Sequence, residues 1–249
     1  VIKFIINQSS KIIVANEYEK RIFLEFADKS KINIVKNGIN LDQFKIEKNS
    51  LRKKFEINYP FILFLGRFNE VKGIDLLLLA INHIKEKISE GNFRVIIMGV
   101  DFGYQEEMMK IIKKFKIENF IKVIKNPTRK EVIEAYDECE FLVLPSRWEL
   151  SPLTPLEGFV FKKPVISTNA HGIPHTIKHE ENCILVESEN YEQLGDAIIE
   201  LFKDKNKIQN LGESGFEQIQ TECNSEIMSK EVFKLYEKIL NEFNSTQDK

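Results

Sequence analysis

The chain has 249 residues and a nearly balanced charge, with 36 Lys and Arg against 38 Asp and Glu. At roughly 150 residues per domain this length corresponds to one or two domains, and an apolar fraction of 43 % is typical of a globular protein with a large core. The near-neutral balance gives no long-range field to attract nucleic acid or an anionic membrane, and no apolar run approaches the roughly 18 residues of a membrane helix.

Short apolar runs alternate along the chain with segments of helical period. We predict strands over residues 11–15, 32–35, 61–65, 94–98, 121–124, 141–144, 164–167 and 183–186. Apolar residues at helical spacing predict helices over 74–88, 104–115 and 194–202. Strands that are apolar throughout and are each followed by a helix are typical of a parallel sheet, so we predict an α/β, Rossmann-like fold with helices on both faces. Ligands of such sheets bind beyond the carboxyl ends of the strands, so the site is expected in the loops that follow them.

The two ends of the chain depart from this pattern. Residues 1–36 read as strand and helix before the Asn37-Gly38 turn, and we interpret them as the remnant of a preceding domain with its linker. The chain opens on Val1 rather than Met, from which we expect it to be a fragment. A final helix with one apolar face follows other helices, and its polar tail from Asn244 onward is expected to fray. The expected division is therefore 1–36, 37–224 and 225–249.

The rarer side chains carry separate information. Three widely spaced cysteines include no Cys-x-x-Cys pair, which argues against a disulfide framework or a zinc ribbon and is typical of a reducing cytoplasm. Only six arginines stand among 30 lysines, so each arginine is a candidate for a specific role. We expect Arg52, by contrast, to be a solvated charge on a helix.

The loop after strand 61–65 has the composition of an anion site. It reads Gly66-Arg67-Phe68-Asn69-Glu70-Val71-Lys72-Gly73. Gly66 allows close approach of the backbone to a ligand. Arg67 supplies a guanidinium that can donate two parallel hydrogen bonds, Lys72 supplies a compact positive charge, and both suit a diphosphate. The loop matches neither a Walker motif nor Gly-x-Gly-x-x-Gly, and the 99–103 loop fails the latter too, so a nicotinamide dehydrogenase is disfavoured. The alternative for both cations is an ordinary solvated position.

A second candidate anion site lies at the start of the helix after strand 141–144. Ser151 is predicted to cap a helix that begins near Pro152, because proline suits the first helical position. The free amides of Leu153 and Thr154 would then form an anion site at the N-terminus of this helix.

Two glutamates flank these amides. Glu149 precedes the helix, and Glu157 lies inside it, where five residues rise about 7.5 Å. This spacing predicts carboxylates at opposite ends of an elongated ligand, rather than a glycosidase pair around one bond. The alternative for each is a charge favoured by the helix dipole.

These motifs occur in a specific order along the chain. The order is Asn37-Gly38-Ile39-Asn40 with Phe44, Gly66-Arg67 with Lys72-Gly73, Leu144-Pro145-Ser146, Glu149 with Glu157, Lys163-Pro164-Val165-Ile166, and Gly172-Ile173-Pro174. In this order and spacing, over about residues 10–201, the chain resembles the C-terminal, donor-binding half of a GT-B glycosyltransferase, most like glycosyltransferase family 4 (group 1).

The resemblance implies a retaining, metal-independent enzyme of hexosyltransferase type. Such an enzyme moves a sugar from a nucleotide-sugar, here a UDP- or GDP-sugar, to a hydroxyl acceptor in glycan, polysaccharide or glycolipid synthesis. It implies that residues 1–36 belong to the N-terminal acceptor domain, most of which is missing from this chain. Membrane contact is expected only through that missing half, and neither nucleic acid nor a cofactor is expected. No metal is expected either, because two cations and a helix N-terminus can neutralise a diphosphate unaided.

The resemblance also assigns roles to individual residues. Arg67 and Lys72 would hold the diphosphate and stabilise the leaving nucleotide, and Glu149 would contact the hydroxyls of the donor sugar. The remaining donor contacts would be the Leu153 and Thr154 amides to phosphate, Glu157 to the ribose, and the loop of Lys125 and Asn126 to the base.

The chain departs from the family pattern at several positions. Ser151 and Pro152 stand where the family often has Phe and Gly, and proline removes one amide from the phosphate site. Gly158 stands where Ala is usual, and His171 and His175 replace a Gly and a common Glu.

Two further interpretations stay open. One is a non-catalytic nucleotide-sugar-binding subunit or degenerate homologue, and the other is a GT-B epimerase or phosphorylase. The spacing of His171, His175 and His179 resembles a metal stripe, but Gly172 and Pro174 oppose a continuous helix there, so no metal site is expected.

Overall fold

The structure is a computed structural model that describes residues 2–46 and 51–247. The strands are β1 (Ile12–Val14), β2 (Ile32–Ile34), β3 (Phe61–Leu65), β4 (Arg94–Gly99), β5 (Ile121–Lys125), β6 (Leu142–Leu144), β7 (Val165–Thr168) and β8 (Cys183–Val186). The α-helices are α1 (Ile2–Gln8), α2 (Glu17–Phe23), α3 (Leu51–Lys54), α4 (Ile74–Gly91), α5 (Gln105–Phe115), α6 (Arg129–Glu138), α7 (Leu153–Val160), α8 (Tyr191–Lys203), α9 (Lys205–Thr221) and α10 (Ser225–Gln247). Each predicted strand is confirmed to within about one residue at either end.

The central sheet is parallel throughout and has the order β5-β4-β3-β6-β7-β8. From β3 to β5 each strand is added beside the one before it, toward one edge of the sheet. The chain then returns to the other side of β3, where β6 pairs with it through Leu63 and Leu142. The loops after β3 and β6 therefore leave the sheet side by side at its carboxyl edge. This reversal of strand order is the position at which open α/β sheets bind ligands.

Both faces of the sheet are covered, as the uninterrupted apolar strands predict. Successive strand residues point to opposite faces, so Ile62 and Phe64 join the core beneath α4, α5 and α8, while Phe61 and Leu63 join the core beneath α6 and α7. All four of these side chains are fully buried. The double core holds β3 rigidly and fixes the starting point of the loop that follows it.

The terminal segments lie outside the central sheet. β1 and β2 form a separate two-stranded parallel sheet, and α10 carries exposed apolar side chains, among them Phe233 and Leu240. Among the helices of residues 2–46 and 51–247, none is both long and apolar enough to cross a bilayer. The predicted division into 1–36, 37–224 and 225–249 stays a prediction.

The structure adds one element and corrects two expectations. The N-terminal segment begins with α1, ahead of the strand and helix that we predicted there. The tail predicted to fray from Asn244 continues α10 as far as Gln247, and positions 248–249 lie outside the described residues. Arg52 is not a solvated charge, since its Nε lies 2.8 Å from Oε2 of Glu138, whose side chain is only 5 % exposed.

Candidate functional site

The loop after β3 is shaped by close packing against the loop after β6. Asn69 accepts a hydrogen bond from the Lys72 amide and caps a short 3-10 helix, Glu70–Lys72. Gly73 follows in the left-handed region, with φ of 65°, and a Cβ there would lie 1.9 Å from the Pro145 carbonyl oxygen. Only glycine fits so close to the Pro145 carbonyl. This close packing fixes the position of Lys72, the preceding residue, at the carboxyl edge of the sheet.

Lys72 and Glu149, from these two loops, meet in an ion pair. The Lys72 Nζ lies 2.5 Å from Glu149 Oε1, and the Ser146 hydroxyl donates to the same carboxylate oxygen at 2.9 Å. The two charged side chains are only 17 % and 13 % exposed. The pair is therefore partly desolvated, and any anion that binds Lys72 competes with Glu149 for it.

Arg147 joins the two loops from the other side. Its guanidinium donates to both carboxylate oxygens of Asp75 at 2.7 and 2.6 Å and to the Glu70 carbonyl at 2.8 Å, and its amide donates to the Val71 carbonyl at 2.8 Å. The hydrogen bonds to Asp75 raise the pKa of Arg147 further above its usual range. Since planar bidentate pairs fix geometry as well as charge, Arg147 holds the backbone on either side of the Lys72–Glu149 pair.

The N-cap of helix α7 lies one residue later than predicted. Pro152, with φ of −67° and ψ of 132°, is the N-cap residue, and no side chain caps the helix. Ser151 is thus not the cap, and its hydroxyl instead accepts from Asn37 Nδ2 at 2.9 Å. Leu153 and Thr154 are the first two helical residues, as the predicted anion site requires, and their amides have no intrahelical acceptor.

Glu157 is held by two groups that sequence reasoning missed. The hydroxyl of the fully buried Tyr136 donates to Glu157 Oε2 at 2.7 Å, and Arg129 Nη1 lies 3.3 Å from Oε1. Burial, together with the Glu157 charge, raises the pKa of Tyr136 well above its usual value, so Tyr136 remains a donor. The Arg129 guanidinium also lies 4.5 Å from the Phe44 ring centroid. The Glu157 carboxylate is therefore fixed in orientation before any ligand arrives.

The other predicted residues lie at the same edge of the sheet. A Cβ on Gly66 would make an ordinary van der Waals contact with the Phe64 ring, 3.5 Å away. Arg67 is exposed, with its guanidinium 5.1 Å from the Phe102 ring centroid. Lys125 ends β5, and the Asn126 amide donates to the Gly99 carbonyl at 2.8 Å.

Comparison with known proteins identifies the family. The family model for glycosyl transferases group 1 matches residues 46–218, most of the chain. The chain belongs to the group 1 glycosyltransferases. The fold agrees, because solved glycosyltransferases of the GT-B type share its parallel six-stranded sheet with helices on both faces, which confirms the predicted fold class.

The relatives of this glycosyltransferase chain are longer than the chain itself. An uncharacterised glycosyltransferase of Methanocaldococcus jannaschii is 31 % identical over 86 % of this chain and 56 % of its own length. The capsular polysaccharide biosynthesis glycosyltransferase CapM of Staphylococcus aureus is 24 % identical over 90 % of this chain and 60 % of its own. The chain thus spans little more than half the length of these relatives.

Solved structures share the fold at lower identity. A glycosyltransferase from Rickettsia africae superimposes with a TM-score of 0.86 at 23 % identity, over 96 % of this chain and 67 % of its own. HepE of Anabaena, solved in complex with UDP, superimposes with a TM-score of 0.83 at 16 % identity, over 92 % of this chain and 64 % of its own.

Within this group 1 domain, the structure brings some predicted residues together and adds others. Lys72 and Glu149 are in direct contact, whereas Glu157 has a separate set of partners. Of the residues that were missed, Arg129 and Arg147 had one signal in the sequence, the scarcity of arginine. Ser146 belonged to the Leu144-Pro145-Ser146 motif but was given no role, and Tyr136 had no signal, because no local pattern reports which side chain a fold places beside a distant carboxylate.

The three spaced histidines have separate surroundings. His171 Nδ1 and the Tyr18 hydroxyl are hydrogen-bonded at 2.6 Å, and the ring of His175 stacks on Tyr18 with centroids 6.2 Å apart. His179 Nδ1 accepts from the Leu185 amide at 3.0 Å.

Proposed function

We propose that this chain is the donor-binding portion of a retaining, metal-independent glycosyltransferase of the family 4 type. The donor is a UDP- or GDP-sugar, and a hexosyl group is moved to a hydroxyl acceptor of a glycan, polysaccharide or glycolipid. The observation that carries the proposal is the pairing of Lys72 with Glu149 at the reversal of strand order, beside the amino end of α7.

The chemistry of these groups matches the parts of a nucleotide-sugar. When the bond from the anomeric carbon to the diphosphate breaks, the bonding electrons leave with the diphosphate and negative charge builds on it. Arg67, Lys72 and the amides of Leu153 and Thr154 are the groups we assign to that charge, since preorganised donors act most strongly where charge develops. Four such donors supply this stabilisation from the protein alone, which supports the metal-independent proposal.

The two glutamates are assigned to the two ends of the donor. Glu149, beside the ammonium of Lys72, accepts hydrogen bonds from the sugar hydroxyls, and Glu157 accepts them from the ribose. Lys125 and Asn126 then lie toward the base. The length of the relatives supports a further part of the proposal, that the acceptor site is formed by residues outside this chain and that 1–36 belongs with it. HepE, solved with UDP-glucose, supports UDP as one nucleotide to test first.

Calorimetry with UDP and with GDP, in EDTA, tests the proposal. We expect one of the two to bind without a divalent cation, and we expect no sugar transfer by the 249-residue chain alone. Arg67→Ala should weaken that nucleotide by about 1.5–3 kcal/mol, the range for a hydrogen bond to a charged group. Arg21→Ala, which removes an exposed charge of α2, is the matched control. Binding of neither nucleotide, or binding only with metal, contradicts the proposal.

A further inference from the structure

The turn at residues 149–151 is held by a residue far away in the chain. Asn16, at the N-terminus of α2, is 5 % exposed, and its Nδ2 donates to the Leu150 carbonyl at 2.8 Å. Its Oδ1 accepts from the Glu19 amide at 3.0 Å and caps α2. The oxygen of the Asn16 side chain thus caps its own helix, and its nitrogen donates to a turn 134 residues later in the chain.

Two further contacts act on the same turn. The Gly172 amide donates to the Glu149 carbonyl at 2.9 Å, and a Cβ on Gly172 would lie 1.6 Å from the Leu150 carbonyl oxygen. Asn37 Nδ2 donates to the Ser151 hydroxyl at 2.9 Å. Three consecutive residues, beginning with Glu149, are therefore fixed by groups outside their own loop.

The bond from Asn16 has a direct geometric consequence. A peptide group is planar, so fixing the direction of the Leu150 carbonyl also fixes the plane that carries the Ser151 amide. The Cα of Leu150 is one residue from Glu149, whose carboxylate must keep its place beside Lys72. This carbonyl is partly buried, and without its donor it would draw the turn toward water or toward another partner, because polar groups shielded from water are costly to leave unpaired.

We propose that Asn16 is a positioning residue for the sugar end of the donor site. It holds the Glu149 turn in the orientation that reads the sugar, without touching the donor itself. The inference rests on the proposed function, in which Glu149 contacts the sugar and other groups contact the nucleotide. It makes the first turn of α2 part of the donor site's support, although α2 lies outside the central sheet.

Two variants separate the bond to the turn from the cap of α2. Asn16→Ser keeps a good cap but loses the reach to the Leu150 carbonyl, and Asn16→Asp keeps both cap and size but has no hydrogen to donate. Asn40→Ser is the matched control, because Asn40 is an exposed cap whose side-chain oxygen accepts from the Asp42 amide at 3.0 Å. Circular dichroism of each variant checks that the helices are retained.

The first readout is calorimetry on the 249-residue chain with a bare diphosphate and its sugar conjugates. The probes are UDP, UDP-glucose and UDP-galactose, with GDP and GDP-mannose as the second set. We expect both Asn16 variants to weaken the tightest nucleotide-sugar about three- to tenfold, the loss of one hydrogen bond, and not to weaken the bare diphosphate. The second readout needs no ligand. Trp148, the only tryptophan of the sequence, precedes Glu149, so its quenching by acrylamide should rise in both variants but not in Asn40→Ser.

The outcomes distinguish the inference from the function on which it rests. If the unmodified chain binds neither diphosphate, or binds no nucleotide-sugar more tightly than its diphosphate, the assignment of the donor site fails. If the unmodified chain binds as expected but the Asn16 variants weaken both ligands equally, or neither, Asn16 does not position the sugar end. Unchanged quenching of Trp148 in Asn16→Asp also overturns the inference.

Discussion

Replacing Glu149 by glutamine should change the affinities for a bare diphosphate and for a nucleotide-sugar in opposite directions. In the free protein the Lys72 ammonium is committed to Glu149, 2.5 Å away, with both side chains largely shielded from water. A diphosphate must draw Lys72 away from this carboxylate and accept the nearby negative charge. Glu149→Gln removes both obstacles, so UDP or GDP, whichever binds, should bind more tightly.

The size of the effect follows from the burial of the pair. Two unit charges about 4 Å apart interact by about 4 kcal/mol at an effective dielectric constant near 20. Most of this interaction energy is offset, because Lys72 in the variant still donates to the glutamine oxygen and, in the original chain, forms a similar ion pair with the bound phosphate. We therefore expect a net gain of about 1 kcal/mol, roughly fivefold tighter binding of the diphosphate. The nucleotide-sugar loses charge-assisted hydrogen bonds of about 1.5–3 kcal/mol, which exceeds that gain, so its affinity should fall.

Calorimetry with the diphosphate and its sugar conjugate, on the original chain and on Glu149→Gln, measures both effects. Lys72→Met provides the control, since the gain from Glu149→Gln should disappear when Lys72 is absent. If Glu149→Gln weakens the bare diphosphate as much as the nucleotide-sugar, Glu149 does not compete with phosphate for Lys72. A gain that persists in the Lys72→Met background would mean that the effect is diffuse electrostatics and not the observed pair.

Three more outcomes follow from contacts of the described residues. Tyr136→Phe should weaken the diphosphate and its sugar conjugate equally, by about 1 kcal/mol, in calorimetry, because Glu157 Oε2 loses the hydroxyl that orients it. Arg52→Ala should lower the free energy of unfolding by about 2–3 kcal/mol in urea titrations at neutral pH, because it leaves the buried Glu138 carboxylate without its ion pair. Burial raises the pKa of Glu138, and a protonated acid costs less to bury, so this deficit should shrink as the pH is lowered toward 5. The three thiols should react with a disulfide reagent at pH 8 only after unfolding, since all are buried and burial raises the pKa of Cys139 to about 12.

Each of these has an outcome that contradicts it. If Tyr136→Phe weakens binding of the nucleotide-sugar but not of the bare diphosphate, the assignment of Glu157 to the ribose is wrong. A deficit in Arg52→Ala that grows at lower pH would show that Glu138 is not the source of the instability. Rapid modification of a thiol in the folded chain would mean that its element opens readily.

The positions of the strands could be read from local pattern, and the candidate anion site was predicted in the same way and stays a prediction. The run from Phe61 to Leu65 is apolar on both faces, and a strand of this kind is typical of the middle of a sheet that is covered on both sides. The same reasoning predicted the other strands. The loop chemistry was equally local, because Arg67 and Lys72 follow that strand directly and Leu153 opens the helix after β6. Order along the chain sufficed for the resemblance to the group 1 glycosyltransferases, which the family model confirms, whereas family 4 stays a prediction.

The pairing of side chains was decided by the tertiary structure alone. Lys72 meets Glu149 across 77 residues because β6 inserts beside β3 rather than beside β5, and nothing in either loop encodes that choice. Arg52 reads as a solvated charge from its lysine-rich surroundings, yet α3 packs it against a buried carboxylate of α6. Local sequence determines which residues can form a strand, a cap or an anion site, since these depend on neighbours a few positions away. Which charges meet depends on strand order and on the packing of distant helices, and these are set by burial of the whole core.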